Sequence, residues 1–472
     1  MEHPWIQYIV IILYFVFIIT KGIRHKKDIH NSDDFLVAGR NIGWFFLFCS
    51  MSATIVGGGA SIGAMGRTYE WGVLMLAIST GWYLFFLFSG WFIAPYFRKE
   101  KLYTVAGFFG NRFGAKSRFM AFILSLLFSV GVLGAQMVAF GKIIITMIPE
   151  VPYYLAVIIG GGIVIIYCTV GGLLAVIHTD VYQFIILMIG FVLTLTLCIP
   201  DLITNSTEIR QVVPPEFFSI IGDKGWLFLI TTFIAFLLGE SFSPGYATRY
   251  CVGKNTRETR IGVMGAGGFL TITFPVILFF ISLYARFHFP DIDSEQALPR
   301  TILKLHNPFI GGLIIASLMC AVMSSADSIL NSATAIFYKD LYEEYLSRYI
   351  QTKQKGLTIV RLSSIALGVI GILLALVLPN IIDLLLLTYN LWAPGIILPV
   401  IFGVFSKKQS KGINNIIFTT MLVSTIATIA YMNTQYKEIV QPSVFGVAVS
   451  CVVFFVLTIV FRKERFEKTE KI

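Results

Sequence analysis

About thirteen separate stretches of this 472-residue chain are long and apolar enough to cross a lipid bilayer, and nothing constrains its fold more. Hydrocarbon offers no water to backbone N–H and C=O groups, so a spanning segment must satisfy them internally as a helix. The stretches lie near 5–23, 42–68, 73–96, 117–147, 153–169, 174–199, 226–250, 260–286, 309–338, 357–378, 381–405, 413–431 and 443–461. The expected fold class is therefore an all-α integral membrane protein. Charged residues make up only 13% of the chain, against about 25% in soluble domains, which excludes a water-soluble enzyme.

The remaining charge is placed by topology. The run 5–23 follows Glu2, shows no small-residue cleavage site and carries Lys21, Arg24, Lys26 and Lys27 behind it. It reads as an uncleaved anchor with its N-terminus outside. Counting alternate connections from that start puts about 27 Lys and Arg on the cytoplasmic side and about 7 outside, so the C-terminus is expected in the cytoplasm of a multi-pass cell-membrane protein. The net charge of +10 then needs no nucleic acid partner. Six cysteines stand singly, without CxxC spacing, so neither a disulfide framework nor a zinc site is written here.

Two spans are interrupted near their middles, by Ser52-Ala-Thr-Ile-Val-Gly-Gly-Gly-Ala60 and by Gly239-Glu-Ser-Phe-Ser-Pro-Gly245. They sit five spans apart, and because five is odd they cross in opposite directions. Inverted repeats require that relation, and paired broken helices mark the binding site of secondary transporters. The organisation predicted is a single transmembrane domain over 1–472. It comprises a leading helix 5–23, a first repeat 42–199, a second repeat 226–405 and two extra helices over 413–461. Close helix packing at the glycines or a simple kink at Pro244 is the plainer alternative.

Asp180, Glu240 and Asp327 lie deep in apolar runs, with Lys142 and Arg361 able to snorkel. A charge in the bilayer costs at least a few kcal/mol, so each needs a partner, a proton or a function. In Ala321-Val-Met-Ser-Ser-Ala-Asp-Ser328 one helical turn brings the Ala321 carbonyl and the Ser324 and Ser325 hydroxyls to one face. Hard cations favour such oxygen ligands. The carbonyls freed at the first break, around Ala53 and Val56, would complete the set. Asp180, Asp327 and Ser328 reach a common depth, where a second cation or a proton is reasonable. Asp180 as an N-terminal charge favouring its helix dipole is the alternative.

At these residues the chain resembles the sodium:solute symporter family. The resemblance is carried by Asp34-Phe-Leu-Val-Ala-Gly-Arg40, Gly171-Gly-Leu-Leu-Ala-Val-Ile-His-Thr-Asp-Val-Tyr-Gln183 and Met323-Ser-Ser-Ala-Asp-Ser-Ile-Leu-Asn-Ser332 leading to Lys339-Asp-Leu-Tyr342. It implies a leucine-transporter-type 5+5 inverted-repeat core and a sodium site at Ala53, Val56, Ala321, Ser324 and Ser325. In some members a second sodium site would map to Asp180, Ser324, Asp327 and Ser328, with a serine where Asp327 stands here. Motifs around 54–59 and 323–328 look most like the choline-transporter branch, which cages a quaternary ammonium in aromatic faces. Two of that branch's tryptophan positions are Ile55 and Ser243 here, while Trp82 keeps an aromatic, so choline itself is not expected.

The expected activity is sodium-coupled import of a small polar organic solute, such as an amino acid, amine or carboxylate, by a functional monomer using alternating access. A proton-coupled symporter of the same fold is the nearest rival, and an ion channel the next. Candidate solute contacts are Gly58, Gly59, Ala60, Trp82, Gln136, Glu240, Ser241 and Asn390, with Glu240 able to pair with an amine. Packing or interhelical hydrogen bonding accounts for each of them equally well. No catalytic constellation appears in any span, so no enzyme is expected.

Overall fold

The computed structural model describes residues 5–24, 37–240, 242–346, 356–406 and 410–461. In order the main helices are α1 (Trp5–Arg24), α2 (Trp44–Ile55), α3 (Gly59–Trp71), α4 (Val73–Lys99), α5 (Val105–Phe113) and α6 (Ala115–Met147). Then come α7 (Tyr153–Thr204), α8 (Ser206–Val212), α9 (Gly225–Gly239), α10 (Pro244–Tyr250), α11 (Thr256–His288) and α12 (Ala297–Leu305). The chain closes with α13 (Pro308–Ile336), α14 (Gly356–Val377), α15 (Ile381–Phe405), α16 (Lys411–Tyr431) and α17 (Pro442–Val460).

Among the described residues, nine helices are long and apolar enough to cross a membrane, or eleven if each of two bent pairs counts as one span. The bent pairs are α2 with α3, at 52°, and α9 with α10, at 49°, so both interruptions read from the sequence are real bends. Two further apolar helical segments, Trp5–Ile18 and Tyr153–Thr169, are shorter.

The stretches 153–169 and 174–199 were expected as separate spans, yet one helical ladder covers all 52 residues of α7. A straight rod would separate Tyr153 from Asp201 by roughly 72 Å. Both residues nevertheless meet the same end of the bundle. The Lys142 ammonium lies 5.9 Å from the Tyr153 ring and 2.5 Å from Asp293, while Asp201 lies 2.7 Å from His288. Residues 288 and 293 span at most about 18 Å of chain, so α7 folds back between its apolar halves.

The same contacts orient the other helices. Arg118 at the start of α6 pairs with Asp340 and Glu344 beyond α13, and Lys142 near its finish reaches Asp293. The α2–α3 pair runs from the Asp340 end, where the Trp44 amide donates to Glu258, to the Glu295 end, where Ser294 donates to Glu70. The α9–α10 pair runs the opposite way, from Phe228 against Trp71 to the loop at Gly253 that accepts from Arg98. α13 lies centrally, with 83% of its apolar window buried; α17 lies at the periphery, with 17%. Small residues make that centrality possible. At Gly57, an added Cβ would stand 1.9 Å from the Ser325 hydroxyl.

Candidate functional site

The break between α2 and α3 leaves main-chain oxygens without partners. The last α-helical bond runs from Val56 N to Ser52 O, and pairing resumes from Ser61 N to Gly57 O and from Gly63 N to Gly58 O. Among the described residues, no backbone N–H returns to the carbonyls of Ala53 or Val56. Gln136 on α6 holds the turn open by accepting from Gly58 N at 2.8 Å. Against this turn α13 places Ser325, whose hydroxyl donates to Thr54 O at 2.8 Å and to Ala321 O at 3.1 Å. Ser325 and Ala321 of α13 thus meet the broken turn at Thr54, which stands between Ala53 and Val56 in the chain.

Ser324 turns elsewhere. Its hydroxyl donates to Asp180, which also accepts from Ser50 at 2.5 Å. The third partner of Asp180 is one the sequence reading missed. Arg249 stands near the end of α10, where a basic residue counts toward the adjoining loop, but its side chain is 0% exposed. Its Nη2 lies 3.3 Å from Asp180 and donates to Ser328 at 2.5 Å, while Nε donates to Ser50 at 3.0 Å. A guanidinium therefore stands between Asp180 and Ser328, where a second cation was expected. Asp180 lies four residues into the second half of α7, the span Val176–Thr204. The signal available was the position of Arg249 five residues after Pro244, still inside an apolar run.

Asp327 shares this neighbourhood but not its bonds. It is fully buried, and among the described residues neither carboxylate oxygen is hydrogen-bonded; one helical turn on, both amide atoms of buried Asn331 likewise find no partner there. Only the Asp327 backbone carbonyl is engaged, by the Cys168 thiol at 3.5 Å. The cluster holds one guanidinium and two carboxyl groups, so a proton or a cation on Asp327 would complete its charge.

Between the two breaks lies a cavity lined by Thr54, Ile55, Gly57, Gly59, Ala60, Trp82, Phe128, Val132, Gln136, Glu240, Ser243, Tyr246, Ser325 and Ile329. Its free volume of about 20 Å³ is room for roughly one water molecule. Glu240 closes α9 at this point and accepts from Tyr246 at 2.6 Å and Tyr389 at 2.9 Å. Tyr389 in turn accepts from Trp82 Nε1 at 3.0 Å, and the Trp82 ring packs edge-on against Phe236 at 4.3 Å. Beyond the break, Phe242 holds a left-handed φ of 59°. A bulky residue keeps that conformation only where packing enforces it, here against Phe85 at 5.3 Å. Pro244 at the first helical position restarts the span as α10.

Of the expected solute contacts, Gly59, Ala60, Trp82, Gln136 and Glu240 line the cavity. Gly58 lies just behind, its amide held by Gln136. Asn390 does not belong: its side-chain oxygen accepts from Ser443 N of α17 at 2.8 Å, so it packs the periphery. Ser241 lies outside the described residues. The tyrosines that bracket Glu240 come from α10 and α15, and only the folded chain shows that both reach it.

The sodium:solute symporter family model matches residues 35–413. High-affinity choline transporter 1 of Drosophila melanogaster is 26% identical over 400 residues, which are 81% of this chain and 63% of that protein. The chain thus spans less than two thirds of that relative's length. The sodium/sialic acid symporter NanT of Aliivibrio fischeri is 27% identical over 391 residues, 78% of this chain and 75% of that protein. Among solved structures, the substrate-bound outward-open state of a Na+-coupled sialic acid symporter superposes with a TM-score of 0.80 at 21% identity, covering 99% of both chains, so the two share a fold. These relatives are transporters, not enzymes. With four fifths of its length matched by one family model, the chain belongs to the sodium:solute symporter family.

Proposed function

We propose that this protein is a sodium-coupled symporter that imports a small polar organic solute by alternating access. One observation carries the reading: the Ser325 hydroxyl donates to Thr54 O on the broken turn of α2, whose neighbours Ala53 and Val56 have carbonyls freed from the helix, and to Ala321 O. Sodium there would join α13 to α2. Ser324 would complete the shell by releasing Asp180. Counting both bent pairs and both shorter apolar segments gives thirteen spans, consistent with α1, a 5+5 inverted-repeat core and two extra helices. The opposed directions of the two broken spans suit that repeat. The basic residues Arg40, Arg98, Lys101 and Arg118 gather at the Asp340 end, which we assign to the cytoplasm.

The cavity shares Ser325 with the proposed sodium site, and its lining residues Thr54 and Gly57 stand on the same broken turn. Sodium that fixes this turn fixes a wall of the cavity, and by linkage the solute raises sodium affinity by the same factor. Each sodium moving down 100 mV contributes about 2.3 kcal/mol, enough for more than tenfold accumulation.

Equilibrium binding of ²²Na+ to purified protein tests the site without knowledge of the solute. Binding should be displaced by sodium and not by potassium, and Ser325→Ala should weaken it about tenfold or more while leaving the unfolding temperature close to native. Undiminished binding in Ser325→Ala would remove the site. The unpartnered carboxyl of Asp327 favours a second reading, in which a proton accompanies or replaces sodium. Transport that persists in potassium at fixed pH and collapses with the pH gradient would select it.

A further inference from the structure

Building on the symport reading, we infer that the solute is a small organic ammonium carrying N–H groups, bound through Glu240. The carboxylate sits at the break of α9 and α10 and lines the cavity. Its two partners, the hydroxyls of Tyr246 and Tyr389, are neutral. Among the described residues no Lys, Arg or His lines the cavity. The guanidinium of Arg249 reaches Asp180, Ser50 and Ser328 and does not line the cavity. A carboxylate accepts about four hydrogen bonds, and two of its positions are taken. A negative charge left uncompensated in a membrane interior is costly, and a ligand ammonium supplies both the missing charge and the missing donors.

The other walls refine the class. Ile55, Val132 and Ile329 offer an apolar surface to an aliphatic body, and Trp82, Phe128 and Tyr246 supply aromatic rings suited to a nearby cation. A quaternary ammonium has no N–H to give Glu240, and an anion or a neutral polyol would leave the carboxylate charge unmatched. With free space for about one water, the tyrosine hydroxyls stand where ligand N–H groups would donate. Solute entry therefore spreads Tyr246 and Tyr389 apart, which pulls on α10 and α15 together.

The test is thermal unfolding of the purified full chain in nanodiscs, in sodium chloride and in potassium chloride. The probes are ethanolamine, putrescine, glycine, proline, choline, lactate and glucose. At least one N–H-bearing amine should raise the unfolding temperature in sodium, whereas choline, lactate and glucose should not. Ethanolamine and putrescine against glycine and proline separate a free amine from a zwitterion. Glu240→Gln should weaken the amine response at least tenfold and keep the shift produced by sodium alone. Should that variant not fold, Glu240→Asp, which retains the charge, should respond to the same amines more weakly. Stabilisation by lactate, glucose or choline in place of the amines would overturn the inference. So would silence from every amine while sodium still stabilises, or an unchanged amine response in Glu240→Gln. Absence of any sodium effect would instead sink the symport reading.

Discussion

Asp180 and Glu240 are two carboxylates beside broken helices, the first fully buried and the second half-buried at the cavity, and the protein treats them in opposite ways. Asp180 has a fully buried guanidinium within 3.3 Å and hydroxyl donors from Ser50 and Ser324. Glu240 has two phenols and a cavity. The first charge is balanced by the chain itself, so it locks α7, α10, α2 and α13 into one arrangement. Among the described residues no cation faces the second, and the proposed ammonium ligand would fill that place.

Removing charge from each side should therefore have unequal consequences. Arg249→Gln strands Asp180 without a cation, and breaking a buried pair on one side costs about 3–5 kcal/mol. Its unfolding midpoint in detergent should fall sharply, whereas Glu240→Gln, which breaks no ion pair, should unfold close to native. Equal losses in the two variants would erase the distinction. Pairing Arg249→Gln with Asp180→Asn should recover part of the loss, because groups in contact are not additive.

Glu295 is an intermediate case outside the spans. Its Oε1 accepts from Ile381 N at 2.7 Å and its Oε2 lies 3.5 Å from Lys142, yet burial pushes its carboxyl up from 4.5 to about 7. The folded chain then binds more protons than the unfolded chain between those values. The stabilisation is fully present below pH 4.5 and is lost as pH rises toward 7, by roughly 3 kcal/mol at most. Glu295→Gln should flatten that slope in unfolding measured across this range.

Gly57→Ala tests whether the broken turn and Ser325 act as one piece. The new methyl would lie 1.9 Å from the hydroxyl, and overpacking of this kind costs about 1–3 kcal/mol. ²²Na+ affinity should fall by about tenfold, since 1.4 kcal/mol is a factor of ten. Smallest of all, Trp82→Phe removes the donor to Tyr389 and should cost about 1 kcal/mol, read as a modest loss of ligand-induced thermal shift.

The breaks were legible in the sequence because Gly-Gly-Gly and Ser-Pro-Gly stand where a span should run on; spacing put Ala321, Ser324 and Ser325 on one face, but Ser324 donates to Asp180 instead. Arg249 was hidden by the rule that exposed the topology: basic residues near a span's end count as loop, and nothing local shows that Asp180 waits 69 residues upstream. Asn390 misled for the opposite reason, since a polar residue in a span invites a ligand when the partner is the backbone of α17. The fold-back of α7 is visible only in the side-chain contacts at its two ends, because its two apolar halves adjoin without an intervening non-helical stretch.

The pairing of Asp180 with Arg249 carries an obligation during synthesis. The carboxylate leaves the ribosome 69 residues before its guanidinium, an interval of roughly 3–14 s at ordinary elongation rates. Until then α7 carries an unmatched acid, and α10, seven residues long with an arginine inside, has no affinity for lipid of its own. Insertion of this half of the protein is therefore expected to proceed as a joint event, with the nascent helices held together beside the translocation machinery until the two charges meet.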